Sequence, residues 1–60
     1  MKDPVTTICY GEAREWENRW DAVDFFMKGV FTCDGSEKDR YAVILMKLLA
    51  GEDTCSDEIS

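Results

Sequence analysis

The stretch Asn18–Cys33, NRWDAVDFFMKGVFTC, decides how the rest of this chain is read. Trp20, Val23, Met27, Val30 and Phe31 recur at helical spacing, which a 3.6-residue period places on one side of a rod. Phe26 widens that stripe, and Phe25 lies further round near Ala22 and Gly29. An apolar arc this broad exceeds what one neighbour covers and predicts packing against both a helix and a sheet. Asn18 is a favoured N-cap residue, Asp21 and Asp24 put negative charge near the positive helix end, and Asp24 with Lys28 forms an i,i+4 pair. Asp34-Gly35 marks the stop, because glycine takes the left-handed conformation that closes helices. Gly29 costs about 1 kcal/mol against alanine in a helix interior. It is therefore read as a point of close backbone approach, or as a small kink.

Downstream, SEKDRYAVILMKLLAG (36–51) repeats the logic. Ser36 with Asp39 has capping-box spacing, Tyr41, Ile44, Leu45 and Leu48 make a stripe, and Gly51 ends it. The short connection predicts an antiparallel αα-hairpin. Upstream, VTTICY (5–10) is dense in β-branched and aromatic residues and reads as a strand, with Val5, Thr7 and Cys9 on one face and Thr6, Ile8 and Tyr10 on the other. Gly11-Glu12 reads as a turn, followed by a second strand over 13–17 with Trp16 as its inward anchor. The segment AREWENR (13–19) also suits a backward extension of the helix, which would leave the first strand without a partner in the chain.

The resulting fold class is α+β: a two-stranded antiparallel hairpin packed on an antiparallel helical hairpin, ββαα, forming one small domain over 1–51. Residues 52–60, with Glu52, Asp53, Asp57, Glu58 and one isoleucine, read as a flexible, disordered acidic tail. The formal charge is -6, yet the first fifty residues hold nine acids against all seven bases. A nearly balanced body with an acidic end lacks the basic surface that nucleic-acid binding or a cationic membrane helix needs. The apolar run Ala42–Ala50 is broken by Lys47 and is too short to cross a bilayer. Three cysteines at wide spacing, without a secretory segment, point to reduced thiols and a cytoplasmic location.

No constellation here carries chemistry, and the reading is non-enzymatic, without cofactor or metal. Histidine, the commonest neutral-pH base and metal ligand, is absent. Cys9, Cys33 and Cys55 have no CxxC spacing; the first two suit small buried hydrophobes that could meet in the core, and Cys55 an exposed thiol on the tail. Asp34–Asp39 lacks the spaced oxygens and final glutamate of a calcium loop. What remains is surplus apolar surface on two helices in a chain of 60 residues. That surplus predicts a protein-interaction module, self-associating or binding a protein partner through the helices or the hairpin edge, with Phe25, Arg40 and Tyr41 as candidate partner-binding residues. A small-molecule substrate does not fit this reading. The alternative is an acidic inhibitor that mimics nucleic-acid charge toward a nuclease or DNA-binding protein, using Glu12, Glu15, Glu17, Asp21 and Asp24.

WDAVDFF (20–26) and GSEKDRY (35–41), together with the ICYGEAREW hairpin (8–16), resemble small uncharacterised proteins, and small domains of larger ones, from Gram-positive gut bacteria and their mobile elements. The resemblance spans 5–50 and implies a cytosolic bacterial protein, plasmid- or phage-associated. It carries no biochemical assignment to particular residues.

Overall fold

A computed structural model describes residues 2–58. The order is β1 (Val5–Cys9), β2 (Glu12–Trp16), α1 (Arg19–Thr32), α2 (Ser36–Leu49) and β3 (Thr54–Ser56). A β-hairpin packs against a helical hairpin, as the sequence predicts, and the segment expected as a strand over 13–17 is a strand rather than a helix, one residue earlier, at Glu12–Trp16. β1 pairs antiparallel with β2, Val5 opposite Trp16 and Cys9 opposite Glu12. The two-residue turn falls at Tyr10-Gly11, one position earlier than expected, and both residues have positive φ, 53° and 78°. Those signs are the ones whose twist matches a hairpin.

The expected tail is where the sequence reading fails. β3 lies within it, parallel to β1, giving the sheet order β2-β1-β3. Thr6 N–H donates to the Asp53 carbonyl at 2.8 Å and Asp57 N–H to the Ile8 carbonyl at 3.0 Å. Cys55 is fully buried among the helices rather than an exposed thiol. Composition alone marked 52–60 as unstructured, but the donors and acceptors left on the second edge of β1 supply the partner that the segment lacks locally. The last two residues of the expected tail lie outside the described residues.

The core joins Val5 and Cys55 from the sheet to Ala22, Val23, Phe26, Ile44 and Leu48 from the helices. Thr7 is buried among them because its hydroxyl accepts from Trp16 Nε1 at 2.9 Å. An aromatic series runs from sheet to second helix: Trp16–Phe25 at 5.5 Å, Phe25–Phe26 at 5.1 Å and Phe26–Tyr41 at 5.6 Å between centroids. Gly29 sits under Tyr41, where an added Cβ would lie 2.6 Å from Cδ2. The close approach at Gly29 is thus by a ring and not by backbone.

Helix ends differ in how they are closed. Asn18 caps α1, its side chain accepting from Trp20 N–H at 3.1 Å. Ser36 does not cap α2; it is the first helical residue, and Gly35 takes the cap position without a side-chain bond, at φ 69°. The far end of α2 is closed by backbone N–H groups of Ala50, Gly51 and Glu52, which donate to the Met46, Leu48 and Lys47 carbonyls, and buried Arg19 adds a side-chain donor there. Its Nη1 donates to the carbonyls of Leu48 at 2.7 Å and Glu52 at 2.9 Å. Its Nε donates to Asp3 at 2.8 Å, and Asp53 lies 3.5 Å from Nη2. One guanidinium therefore fixes the start of α1, the end of α2, the approach to β3 and the N-terminal lead-in.

Three substitutions separate these contributions. Gly29→Ala should destabilise the fold by about 1–2 kcal/mol in urea unfolding, because overpacking against Tyr41 outweighs the propensity gain of about 1 kcal/mol. Arg19→Met should lower the melting temperature clearly, since two carbonyls lose a charged donor. Lys28→Met, which breaks only the exposed pair to Asp24, should cost about 0.5 kcal/mol or less by the same measurement.

Candidate functional site

The free edge of the sheet, the groove at the hairpin tip and the sheet-distal side of the helix pair differ in chemistry. In β1, Thr6 and Ile8 turn their backbone groups to β3, so Val5, Thr7 and Cys9 bond to β2. The free edge of β2 is then left with the backbone groups of Ala13 and Glu15. Charged side chains at Glu12, Arg14, Glu15 and Glu17 surround that short edge, which is how sheets discourage strand addition. The hairpin edge is a poor docking rail.

A groove of about 360 Å³ opens between the hairpin tip and the helices, lined by residues that include Cys9, Tyr10, Glu12, Arg14, Phe25 and Tyr41. Arg14 lies over the rings of Trp16 at 4.1 Å and Phe25 at 5.1 Å. Burial, and next the negative charge of Asp57, pushes the Cys9 thiol above its ordinary pKa, so it is held as a thiol rather than a nucleophilic thiolate. Burial raises Cys55 and Tyr41 in the same direction. Glu12 is the one carboxylate in the groove lining, without a second acid or base to share a proton with. Among the described residues no group of three or more Cys, Asp or Glu is placed to hold a metal ion.

The three residues expected to read a partner gather near this groove, each already engaged. Phe25 packs tilted against Trp16 and edge-to-face against Phe26, and Tyr41 packs on Phe26 over Gly29. Arg40 donates from Nη1 to Asp57 at 2.7 Å and lies 4.6 Å over the Tyr10 ring. Asp57, nearly enclosed, also accepts from Tyr10 N–H at 3.0 Å. This bond steadies Tyr10 in a left-handed conformation unusual for a residue with a side chain. The acids of the charge-mimicry reading do not share one face: strand alternation puts Glu12 and Glu15 on opposite sides of the sheet, and Asp24 is paired with Lys28 at 3.2 Å.

The largest exposed apolar surface lies elsewhere. Phe31 is 82% exposed, Met46 68%, Trp20 63% and Leu49 57%. On α1, Ala22 and Phe26 face the core and Phe25 leans over β2, so at 100° per residue Trp20, Met27 and Phe31 stand on the side away from the sheet. On α2, Lys47 and Arg40 reach toward β3 and the residue after it, Ser56 and Asp57. The opposite flank carries Ala42, Leu45 and Leu49, with Met46 beyond. The two stripes border the α1–α2 seam on the sheet-distal face. The stripe read from periodicity runs over Trp20, Val23, Met27, Val30 and Phe31 with Phe26 beside it; Val23 and Phe26 are buried, while Trp20, Met27 and Phe31 are exposed. The buried side is centred instead on Arg19, Ala22, Val23 and Phe26, roughly a quarter turn away. An arginine within the apolar periodicity was the available signal for that rotation.

Geometry thus defines a small α+β domain whose distinguishing surface is an uncovered helical-hairpin face. Comparison with family models, curated proteins and solved structures finds no match. Among the described residues no helix is long and apolar enough to cross a membrane.

The Asp57 cluster generates a pH prediction. The Tyr10 N–H, and after it the Arg40 guanidinium, holds this carboxyl below its ordinary pKa. A lowered folded-state pKa contributes stability that is complete above the ordinary value of about 4 and is lost as pH falls through the lower folded one. Urea midpoints of the wild type should therefore drop on acidification below about pH 4–5. Asp57→Asn should have a lower midpoint at neutral pH and a shallower fall in that window. An unchanged slope would remove Asp57 from this role.

Proposed function

We propose that this chain is a non-enzymatic protein-interaction module of the cytosol that binds through the sheet-distal face of its helical hairpin. The observation that carries the reading is the exposure of Trp20, Met27, Phe31, Met46 and Leu49 on one side of a domain whose sheet covers only the other side. Contiguous apolar surface of this kind marks contact sites in small proteins, and aromatic residues dominate the energy of such contacts. The bonding of Arg40, and the stacking of Phe25 and Tyr41, shift the expected contact residues from that set to Trp20 and Phe31. Bacterial origin on a mobile element, which the sequence resemblance implies, fits a short accessory module of this type.

Replacing Phe31 with a photo-reactive phenylalanine analogue tests the reading, because this side chain contributes little to the interior. Irradiation in the native cells should give covalent protein adducts from position 31, and few from the same analogue at Glu15 on the outer face of the sheet. Equal yields at both positions, or none at position 31, would overturn it. Adducts from Glu15 alone, lost in moderate salt, would favour the charge-mimicry alternative.

A further inference from the structure

We infer that the occupant of this face is a second copy of the chain, in a two-fold dimer with α1 antiparallel to the partner's α1 and α2 antiparallel to the partner's α2. The inference rests on the interaction reading above and adds to it the identity of the partner.

Three observations lead there. The first is charge. The chain carries -6 overall, but the sheet-distal rim of α1 matches its acid Asp24 with Lys28, and Lys38 stands on α2, with Asp21 and Asp39 further round. Acidic chains repel one another everywhere except where the acids are missing or matched, so this face is where two copies meet at least electrostatic cost. The second is self-complementarity. A two-fold axis across α1 between Phe25 and Phe26 brings Trp20 beside the partner's Phe31, and Met27 toward the partner's Asp24 and Val23. The same operation sets Asp24 beside the partner's Lys28 and Lys28 beside the partner's Asp24. The intrachain pair at 3.2 Å, whose side chains are both largely exposed, is thereby extended into a four-charge rim. On α2 it sets the small Ala42 against the partner's Met46. An isologous interface requires this reciprocity, and a sequence facing an unrelated partner does not.

The third is area. Each helix has 14 residues, or about 21 Å at 1.5 Å per residue. Two such helices set about 10 Å apart present a face on the order of 400 Å² in projection. Two copies facing one another then form a four-helix layer between two outer sheets, burying total surface near the lower bound for specific association, about 1,000 Å². The dimer should accordingly be weak, with a dissociation constant in about the micromolar range.

Sedimentation equilibrium of the purified full chain, from low micromolar upward, should show mass rising from one chain to two. Asp24→Lys and Lys28→Asp should each weaken self-association about tenfold, because like charges then face each other twice across the axis. Mixing the two variants should restore association toward wild-type strength, since Lys at position 24 of one chain then meets Asp at position 28 of the other, and the unchanged Lys28 meets the unchanged Asp24 in the second contact. Phe31→Lys should remain monomeric in every mixture, with circular dichroism confirming that all variants fold. A wild type that stays monomeric into the millimolar range, or variants that fail to rescue each other on mixing, would overturn the second-copy assignment. The photo-adduct of position 31 separates that failure from failure of the wider reading. Adducts only with other proteins leave the interaction surface standing and remove the dimer, whereas the absence of any adduct removes both.

Discussion

The fold depends on one guanidinium being held where four segments converge. Arg19 opens α1, yet its donors close α2 at Leu48, fix the loop at Glu52 and hold Asp3 and Asp53 by charge. The last carbonyls of a helix lack partners within it, and a buried helix end without donors is costly. Placing a planar group with five donors there satisfies that end and sets the register of the two helices together. It also delivers the chain to Asp53, from which β3 begins.

A second tie acts at the opposite end of β3. Asp57 joins Tyr10 in the hairpin turn to Arg40 in the first half of α2, and the Arg40 side chain lies on the Tyr10 ring. Between these two polar ties the interior is small: Ile44, Leu48, Phe26 and Ala22 with a few strand residues. The aromatic series from Trp16 to Tyr41 supplies much of the contact area, and Gly29 is the vacancy that lets Tyr41 reach it. Three short strands cover one side of two helices and leave the other side unshielded. The exposed helix face is thus a geometric consequence of the architecture, since among the described residues no further element lies across it.

That geometry also bears on chemistry. The polar side chains that are enclosed, Arg19, Asp57 and Thr7, are each bonded to a structural partner. The half-buried thiol of Cys9 is kept protonated by its surroundings. Enclosed polarity holds segments together, and much of the accessible apolar surface lies on the sheet-distal face, with Tyr10 and Phe25 exposed elsewhere.

Sequence by itself determined the elements. Periodicity marks both helices, β-branched density marks β1, and Asn18 and Gly35 place a helix start and the helix joint within a residue, because these depend on local sterics and capping. It also showed that two broad apolar stripes exceed what so short a chain encloses. Only the tertiary structure decided which residues are left over. Trp20 and Phe31 lie on the same broad stripe as Val23, and periodicity alone does not say which part of a wide arc meets the sheet. Packing against Tyr41 and the need to bring Arg19 to the end of α2 set that rotation. The same holds for β3: Thr54–Ser56 has no local signal strong enough to mark a strand, and becomes one because a distant strand offers an unpaired edge at that place.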